Sequence, residues 1–280
     1  MKPIESRPPY IVKLLEEGKA KMENGLLKIK KIKVCILVNT LTSVNSFVYS
    51  NHIEFFVWHA KNHPEIEFIF FSPHRMSIDS ARNTAADYAF KVEADYLMFL
   101  DDDVMVPKDC LWKLIQDDKD ICAGLVMIRG YPFNVMAFKF KKATKAQLEE
   151  FRETGVNRIG FYNDLPKRDG KLQKLVKCDA VGFSLCLIKT KVLKEMQPPF
   201  FMTGTAYTED VYFCVRAKAE VKDLKVFMDT SIECGHMLDA HPVAWSNKEA
   251  LKKFQETVEP VKKKFGRNRT YFSQNLKNLK

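Results

Sequence analysis

Residues Tyr96-Leu97-Met98-Phe99-Leu100 form an unbroken apolar run that ends abruptly in Asp101-Asp102-Asp103. An apolar run of this length reads as a strand buried on both faces. Three adjacent carboxylates at its end repel one another, and they persist there only where solvent or a cation offsets them. In extended chain Asp101 and Asp103 project to one side and Asp102 to the other. Two convergent carboxylates suit Mg2+ or Mn2+, which leave positions open for phosphate oxygens.

The surrounding pattern repeats the motif of a short apolar run followed by a helical stretch. Val34–Val38 is such a run, ending at Asn39-Thr40, and residues 44–62 continue with helical character. Glu67–Phe71 is a second run, closed by Ser72-Pro73-His74-Arg75, and a second helix is expected over about 79–92. Further apolar runs fall at 121–128 and 176–188, a helix at 209–220 and a strand at 225–229. Strands alternating with helices of this length predict an α/β domain with a mainly parallel central sheet flanked by helices. Ligands in such sheets bind beyond the carboxyl ends of the strands, which directs attention to Asn39-Thr40, Ser72–Arg75 and Asp101–Asp103.

The domain is expected over 32–245, preceded by an N-terminal helical cap (1–31) and followed by a basic C-terminal helix or tail (246–280). Residues 141–175, polar and lysine-rich, read as a surface excursion with a hairpin. The formal charge of +10 is concentrated in the tail: Lys262, Lys263, Lys264, Arg267, Arg269, Lys277 and Lys280 follow Val261 without one acidic residue, leaving a surplus of three for the rest. Such a tail suits a polyanionic partner. The seven cysteines contain no CxxC pair and sit mostly in apolar segments, which predicts reduced core thiols rather than disulfides or a zinc site. No apolar run has the roughly 18 residues a bilayer span requires, and MKPIESRPPY lacks a signal-peptide core, so the expected location is the cytoplasm, without membrane association.

Four blocks in order give the sequence a family resemblance over about residues 34–241. Asp101-Asp102-Asp103 resembles the DxD motif of nucleotide-sugar glycosyltransferases of the GT-A (Rossmann-like) fold. Asp79-Ser80-Ala81-Arg82-Asn83 resembles their "ARN" block, Cys178-Asp179-Ala180-Val181-Gly182-Phe183 their small-residue block, and Thr208–Ala217 the "EDxxFCxRA" helix of family 2-like members. The resemblance implies transfer of a sugar from a nucleoside-diphosphate sugar, a UDP-sugar by expectation, to an acceptor hydroxyl. It also implies Mn2+ or Mg2+ on Asp101 and Asp103, with His236 as a third protein ligand. Donor contacts are expected at Thr40, Arg75, Asp79, Arg82, Asp101 and Asp102. Asp210 is the candidate general base with Glu209 beside it, although both also fit the first turn of a helix capped by Thr208. Sugar and acceptor contacts are expected at Arg129, Tyr131, Asp179, Gly182 and Trp245.

The blocks together resemble bacteriophage DNA-modifying glycosyltransferases, which makes a hydroxymethylated pyrimidine in DNA the expected acceptor. Lys262, Lys263, Lys264, Arg267 and Arg269, with the cluster Lys139, Lys141, Lys142 and Lys145, are the expected phosphate contacts. A small-molecule, glycan or protein acceptor is the alternative, and nucleotidyl transfer, which also places metal-binding carboxylates at a strand end, is a further one.

Overall fold

A computed structural model describes residues 20–23, 26–40, 43–73, 75–140, 159–161, 165–168, 171–204, 207–238, 241–253 and 255. Its centre is a seven-stranded sheet. The strands are β1 (Ile32–Asn39), β2 (Ile66–Phe71), β3 (Tyr96–Asp101), β4 (Ile121–Leu125), β5 (Leu175–Lys177), β6 (Leu185–Lys189) and β7 (Val226–Glu233). Their spatial order is β5-β7-β4-β6-β3-β1-β2. The pairs β1–β2, β1–β3 and β4–β7 are parallel, whereas β6 runs antiparallel between β3 and β4, and β5 antiparallel on β7. The sheet is therefore mixed, with its parallel half carrying Asn39 and Asp101 side by side in register.

The helices α1 (Ser46–Asn62), α2 (Ile78–Lys91), α3 (Cys110–Asp117), α4 (Thr190–Lys194) and α5 (Glu209–Glu220) flank the sheet. The twofold alternation of each strand divides the core into two layers. Cys35, Leu37, Leu97, Phe99, Cys186 and Ile188 face α2 and α5, meeting Ala81, Ala85, Ala89, Phe213 and Cys214. Val34, Ile36, Met98, Leu100, Leu185 and Leu187 face the other way, onto Phe55 of α1 and Leu111 and Leu114 of α3. Small alanines at i, i+4 and i+8 let α2 lie close on the sheet. Large residues fill the space beside it, where Phe99 and Phe183 stack at 5.4 Å and Phe201 and Phe213 at 4.7 Å. Each such side chain, fully buried, contributes roughly 1.5–3 kcal/mol of transfer free energy. All seven cysteines are buried without disulfides, and burial pushes the Cys35 and Cys178 thiols up to about 12. They are core residues, as their setting in the sequence predicts.

One expectation changes. Within the expected helical cap, Ala20–Glu23 and Leu26–Ile29 pair antiparallel with Glu23 opposite Leu26. The connecting residues in the sequence are Asn24-Gly25, the strongest two-residue hairpin signal, and it outweighs the helical propensity of the flanks. The lysine-rich excursion contributes Ile159–Phe161, paired with Ala137–Phe140, and the hairpin Lys167–Arg168 with Lys171–Leu172. Residues 1–19 of the cap and 256–280 of the tail, including Lys262, Lys263, Lys264, Arg267 and Arg269, lie outside the described residues, as do Lys141, Lys142 and Lys145. Among the described residues no helix is long and apolar enough to cross a membrane.

Candidate active site

The alternation that builds the core also aims the carboxylates. Asp101 continues the face of Leu97 and Phe99, so its side chain emerges on the side of α2 and α5. There Arg82 of α2, buried between the Phe99 and Phe183 rings at 5.0 and 5.4 Å, joins two acids. Its NH2 lies 3.6 Å from Asp101 Oδ1 and its NH1 donates to Glu209 Oε1 at 2.5 Å. Burial pushes the Asp101 and Glu209 carboxyls above their ordinary ranges against the pull of Arg82. Asp101 is further held by Ser184, whose carbonyl accepts its backbone N–H at 2.9 Å.

Beyond the strand end, the short strand Val104–Met105 pairs antiparallel with Gly235–Leu238, which sets His236 opposite Val104. The backbone N–H of Met237 donates to the carbonyl of Asp103 at 2.8 Å. This pairing brings His236 Nε2 to 3.4 Å from Asp103 Oδ1. The other ring nitrogen, Nδ1, lies 2.8 Å from the Met127 carbonyl and must carry the proton, because a carbonyl only accepts. Asp103 Oδ2 takes Arg129 NH1 at 2.7 Å. Although burial opposes it, the His236 hydrogen bond and the charges of His236 and Arg129 hold the Asp103 carboxyl below its usual range. Thr40, at the end of the neighbouring strand, favours the ionised form of Asp102. Burial and its two acidic neighbours push Asp102 up to about 6 nonetheless.

The expected site residues separate into those gathered here and those placed elsewhere. Thr40, Arg82, Asp101, Asp102, Asp103, Arg129, Glu209 and His236 converge at the carboxyl end of β3. Asp210 follows Glu209 in the first turn of α5, buried, accepting from the Thr208 hydroxyl and from the Val211 N–H at 2.7 Å. Tyr131 is exposed on the Gly130–Phe133 turn that follows Arg129. Asp79 lies in the first turn of α2, after the N-cap Ser77, and accepts from the Ser77 hydroxyl at 2.6 Å, which holds its carboxyl below the usual range. Arg75 is exposed with φ 56°.

Asp179 instead pairs with Lys218, nine residues along α5 from Glu209, which is about 13 Å at the helical rise. Gly182 packs under Met136: a Cβ there would lie 2.5 Å from Met136 Cε and 2.9 Å from its Cβ. Its smallness thus answers to packing. Trp245 lies in a 3-10 turn beneath Lys248, whose Nζ sits 3.2 Å from the ring centroid. Asn83 of the expected nucleotide-facing block is committed to the backbone of the 200–201 segment, accepting from the N–H groups of Phe200 and Phe201 and donating to the Phe201 carbonyl.

Among the described residues no group of three or more His, Cys, Asp and Glu side chains is arranged as a cation site. The Arg129 guanidinium stands on the Asp103 oxygen instead. One residue of this region, Ser184, escapes sequence reasoning, while Asn39 belongs to the strand end to which the α/β pattern directs attention. Asn39, level with Asp101 across β1 and β3, has a buried Oδ1 without a hydrogen-bond partner, and Ser184 supports Asp101 from β6. Ser184 stands one position after Phe183, the last residue of the small-residue block.

Residues 58–196, which span helix α1 to α4 and include Asp101–Asp103, match the model described as "Glycosyl transferase family 2". The chain carries a glycosyl transferase family 2 domain. As a glycosyltransferase it uses the mixed α/β architecture to present carboxylates at a strand end, and the family implies a nucleotide-sugar donor and an acceptor. No curated protein is similar enough to this glycosyltransferase to count as a match. Among solved structures, A197 from STIV is 19% identical over 74% of this chain and 86% of its own, with a TM-score of 0.45. An apo UDP-glucose pyrophosphorylase is 8% identical over 94% of this chain and 90% of its own, with a TM-score of 0.36. At such scores neither likeness decides fold or function.

Proposed function

We propose that this glycosyltransferase moves a sugar from a nucleoside-diphosphate sugar to a hydroxyl on DNA, a hydroxymethylated pyrimidine, with Asp101, Asp103 and His236 holding Mn2+ or Mg2+. The observation that carries the metal reading is the His236–Asp103 contact. With its Nδ1–H committed to the Met127 carbonyl, His236 turns Nε2 toward a carboxylate oxygen 3.4 Å away. That is a repulsive pairing unless a proton or a cation stands between them. Two carboxylates and one imidazole nitrogen are also the donor chemistry that Mn2+ accepts. The orphaned Asn39 Oδ1 beside Asp101 supports a ligand here, since a donor hydroxyl or N–H would satisfy it. A bound cation would act as a Lewis acid for the charge that develops on the leaving diphosphate.

The chain's own groups supply the rest. Arg129, released from Asp103, has the reach and charge to meet a phosphoryl oxygen. Asp210 takes the acceptor hydroxyl's proton as general base. Glu209 and Arg82 are already spent on one another, so Glu209 acts by fixing Arg82 against Asp101 rather than by touching substrate. A UDP-sugar donor and a DNA acceptor rest on the sequence resemblance and the basic tail.

Incubation with Mn2+ and a panel of nucleotide sugars, in the presence of hydroxymethylated or unmodified DNA, tests the reading. Nucleoside diphosphate released only with the modified DNA, and abolished in Asp103→Ala, is expected. Turnover of small glycan acceptors instead would overturn the DNA assignment, and pyrophosphate release from a nucleoside triphosphate would overturn glycosyl transfer.

A further inference from the structure

The strand Val104–Met105, which sets His236 against Asp103, has only two residues and two edges to satisfy. Alternation turns the main-chain polar groups of Asp103 and Met105 toward Gly235–Leu238, where the Met237 N–H meets the Asp103 carbonyl. Those of Val104 and Val106 point the other way, and both residues are buried. Among the described residues no strand pairs with this far edge, because Val104–Met105 is the last strand of its three-stranded sheet.

Helix α1 stands in for the missing strand. Its Asn51 donates from Nδ2 to the Val106 carbonyl at 2.9 Å and accepts the Val106 N–H on Oδ1 at 2.7 Å. A side-chain amide carries a donor and an acceptor side by side, so it gives Val106 the two bonds that a neighbouring strand residue would exchange with it. Next along the helix, His52 Nε2 lies 2.9 Å from the Val104 carbonyl. That nitrogen carries the proton, because a carbonyl only accepts. His52 is buried on the face of α1 that holds Val48 and Phe55, and Phe55 shares one core with Val104 and Val106. The helix and the short strand are therefore joined by packing as well as by hydrogen bonds.

We infer that Asn51 and His52 are positioning residues for the carboxylate site, holding Val104–Val106 in the register that keeps Asp103 against His236. Both act through the main chain of Val104 and Val106. Without them a buried N–H and two buried carbonyls lose their partners, and the short strand gains freedom to shift along Gly235–Leu238. The meaning of this for transfer rests on the metal reading proposed above, since ligands held loosely bind a cation less tightly. It adds to that reading two residues of a helix that lies outside every block of the family resemblance.

Amide hydrogen exchange in EDTA, and Mn2+ titration followed by electron paramagnetic resonance, both on the full chain, give the test. Asn51→Leu is nearly isosteric but has neither donor nor acceptor. In it the Met237 amide is expected to exchange at least about tenfold faster, and Mn2+ affinity to fall about 10- to 100-fold. His52→Leu should act in the same direction. His52→Gln, whose Nε2 can donate to the same carbonyl, should exchange and bind Mn2+ as the parent does. Leu193→Ala is the control for lost stability alone: buried in α4, it follows β6 at the end of β3 remote from Asp101, and its Mn2+ affinity should be parental. Met237 exchange and Mn2+ affinity unchanged in Asn51→Leu would overturn the proposal. So would losses in His52→Gln and Leu193→Ala as large as those in Asn51→Leu. A parent that binds no Mn2+, or an Asp103→Ala variant that binds it equally well, would overturn the metal reading instead, and exchange at Met237 then decides whether Asn51 and His52 hold the strand.

Discussion

His236 Nε2 stands 3.4 Å from Asp103 Oδ1 because a two-residue strand after the aspartates pairs with the strand that carries the histidine. The histidine is delivered by backbone hydrogen bonds, so its side chain can be changed without removing the element that places it. His236→Ala is expected to raise the Mn2+ concentration for half-maximal transfer at least about tenfold, while the melting temperature changes little. An unchanged Mn2+ dependence would remove His236 from the metal site.

Arg82 joins Asp101 and Glu209 in a buried setting. Arg82→Met strands two buried carboxylates and is expected to cost about 3–5 kcal/mol in urea unfolding. Glu209→Gln removes one charge and should cost less. The double variant should be more stable than the sum of the two single costs implies, because residues in one network do not add independently. Additive losses would show that the three groups are not energetically joined.

Asp210 and Glu209 are neighbours with different duties. Asp210→Asn keeps size and most hydrogen bonding, so the melting temperature is expected to hold while kcat falls about 10²- to 10⁴-fold. Equal loss of stability in Asp210→Asn and Glu209→Gln, with transfer retained, would make Asp210 a helix-capping residue only.

Gly182→Ala puts a methyl group 2.9 Å from Met136 Cβ, a backbone-fixed atom that cannot swing away. The expected cost is about 1–3 kcal/mol. Met136→Ala in the same chain should recover part of it by opening the space, as read by denaturant midpoints.

The buried His59 gives the stability a pH dependence. Its Nδ1–H donates to the Phe55 carbonyl at 2.9 Å and its Nε2 accepts from the Trp112 N–H at 3.2 Å, so both nitrogens are committed to the neutral ring. Burial lowers its pKa from 6.5 to about 4. Between these values the unfolded chain binds the proton and the folded chain does not, so stability falls as pH drops from 6.5 toward 4 and this contribution is constant below. The loss is on the order of 3 kcal/mol. His52, whose pKa burial also lowers, acts in the same direction. Urea midpoints at pH 7 and pH 4.5 should converge more closely in His59→Gln than in the parent.

The strands were readable because burial on both faces leaves an unmistakable run such as Cys35–Val38 or Leu97–Leu100, and the order of runs and helices follows from it. The aspartates were readable for the same reason, being the polar break at the end of such a run. What the sequence withheld are partnerships made across long separations. Nothing in the local pattern of Arg82 points to Glu209, 127 residues away, and a block that reads as facing a nucleotide turns out to be bound to other parts of the protein. Asp179 reads as part of a sugar site but is drawn to Lys218. The antiparallel β6 between parallel strands is likewise a matter of chain return that a run of apolar residues does not encode.

The bridge from α2 through β3 to α5 has a consequence for descent. Arg82, Asp101 and Glu209 each sit buried or half-buried at a cost that only the other two offset, so a lineage cannot lose one and keep the rest at leisure. Relatives of this chain should keep the three as a set or replace the arginine and glutamate together by neutral residues, with Asp101 then reappearing in a wetter, more open strand end.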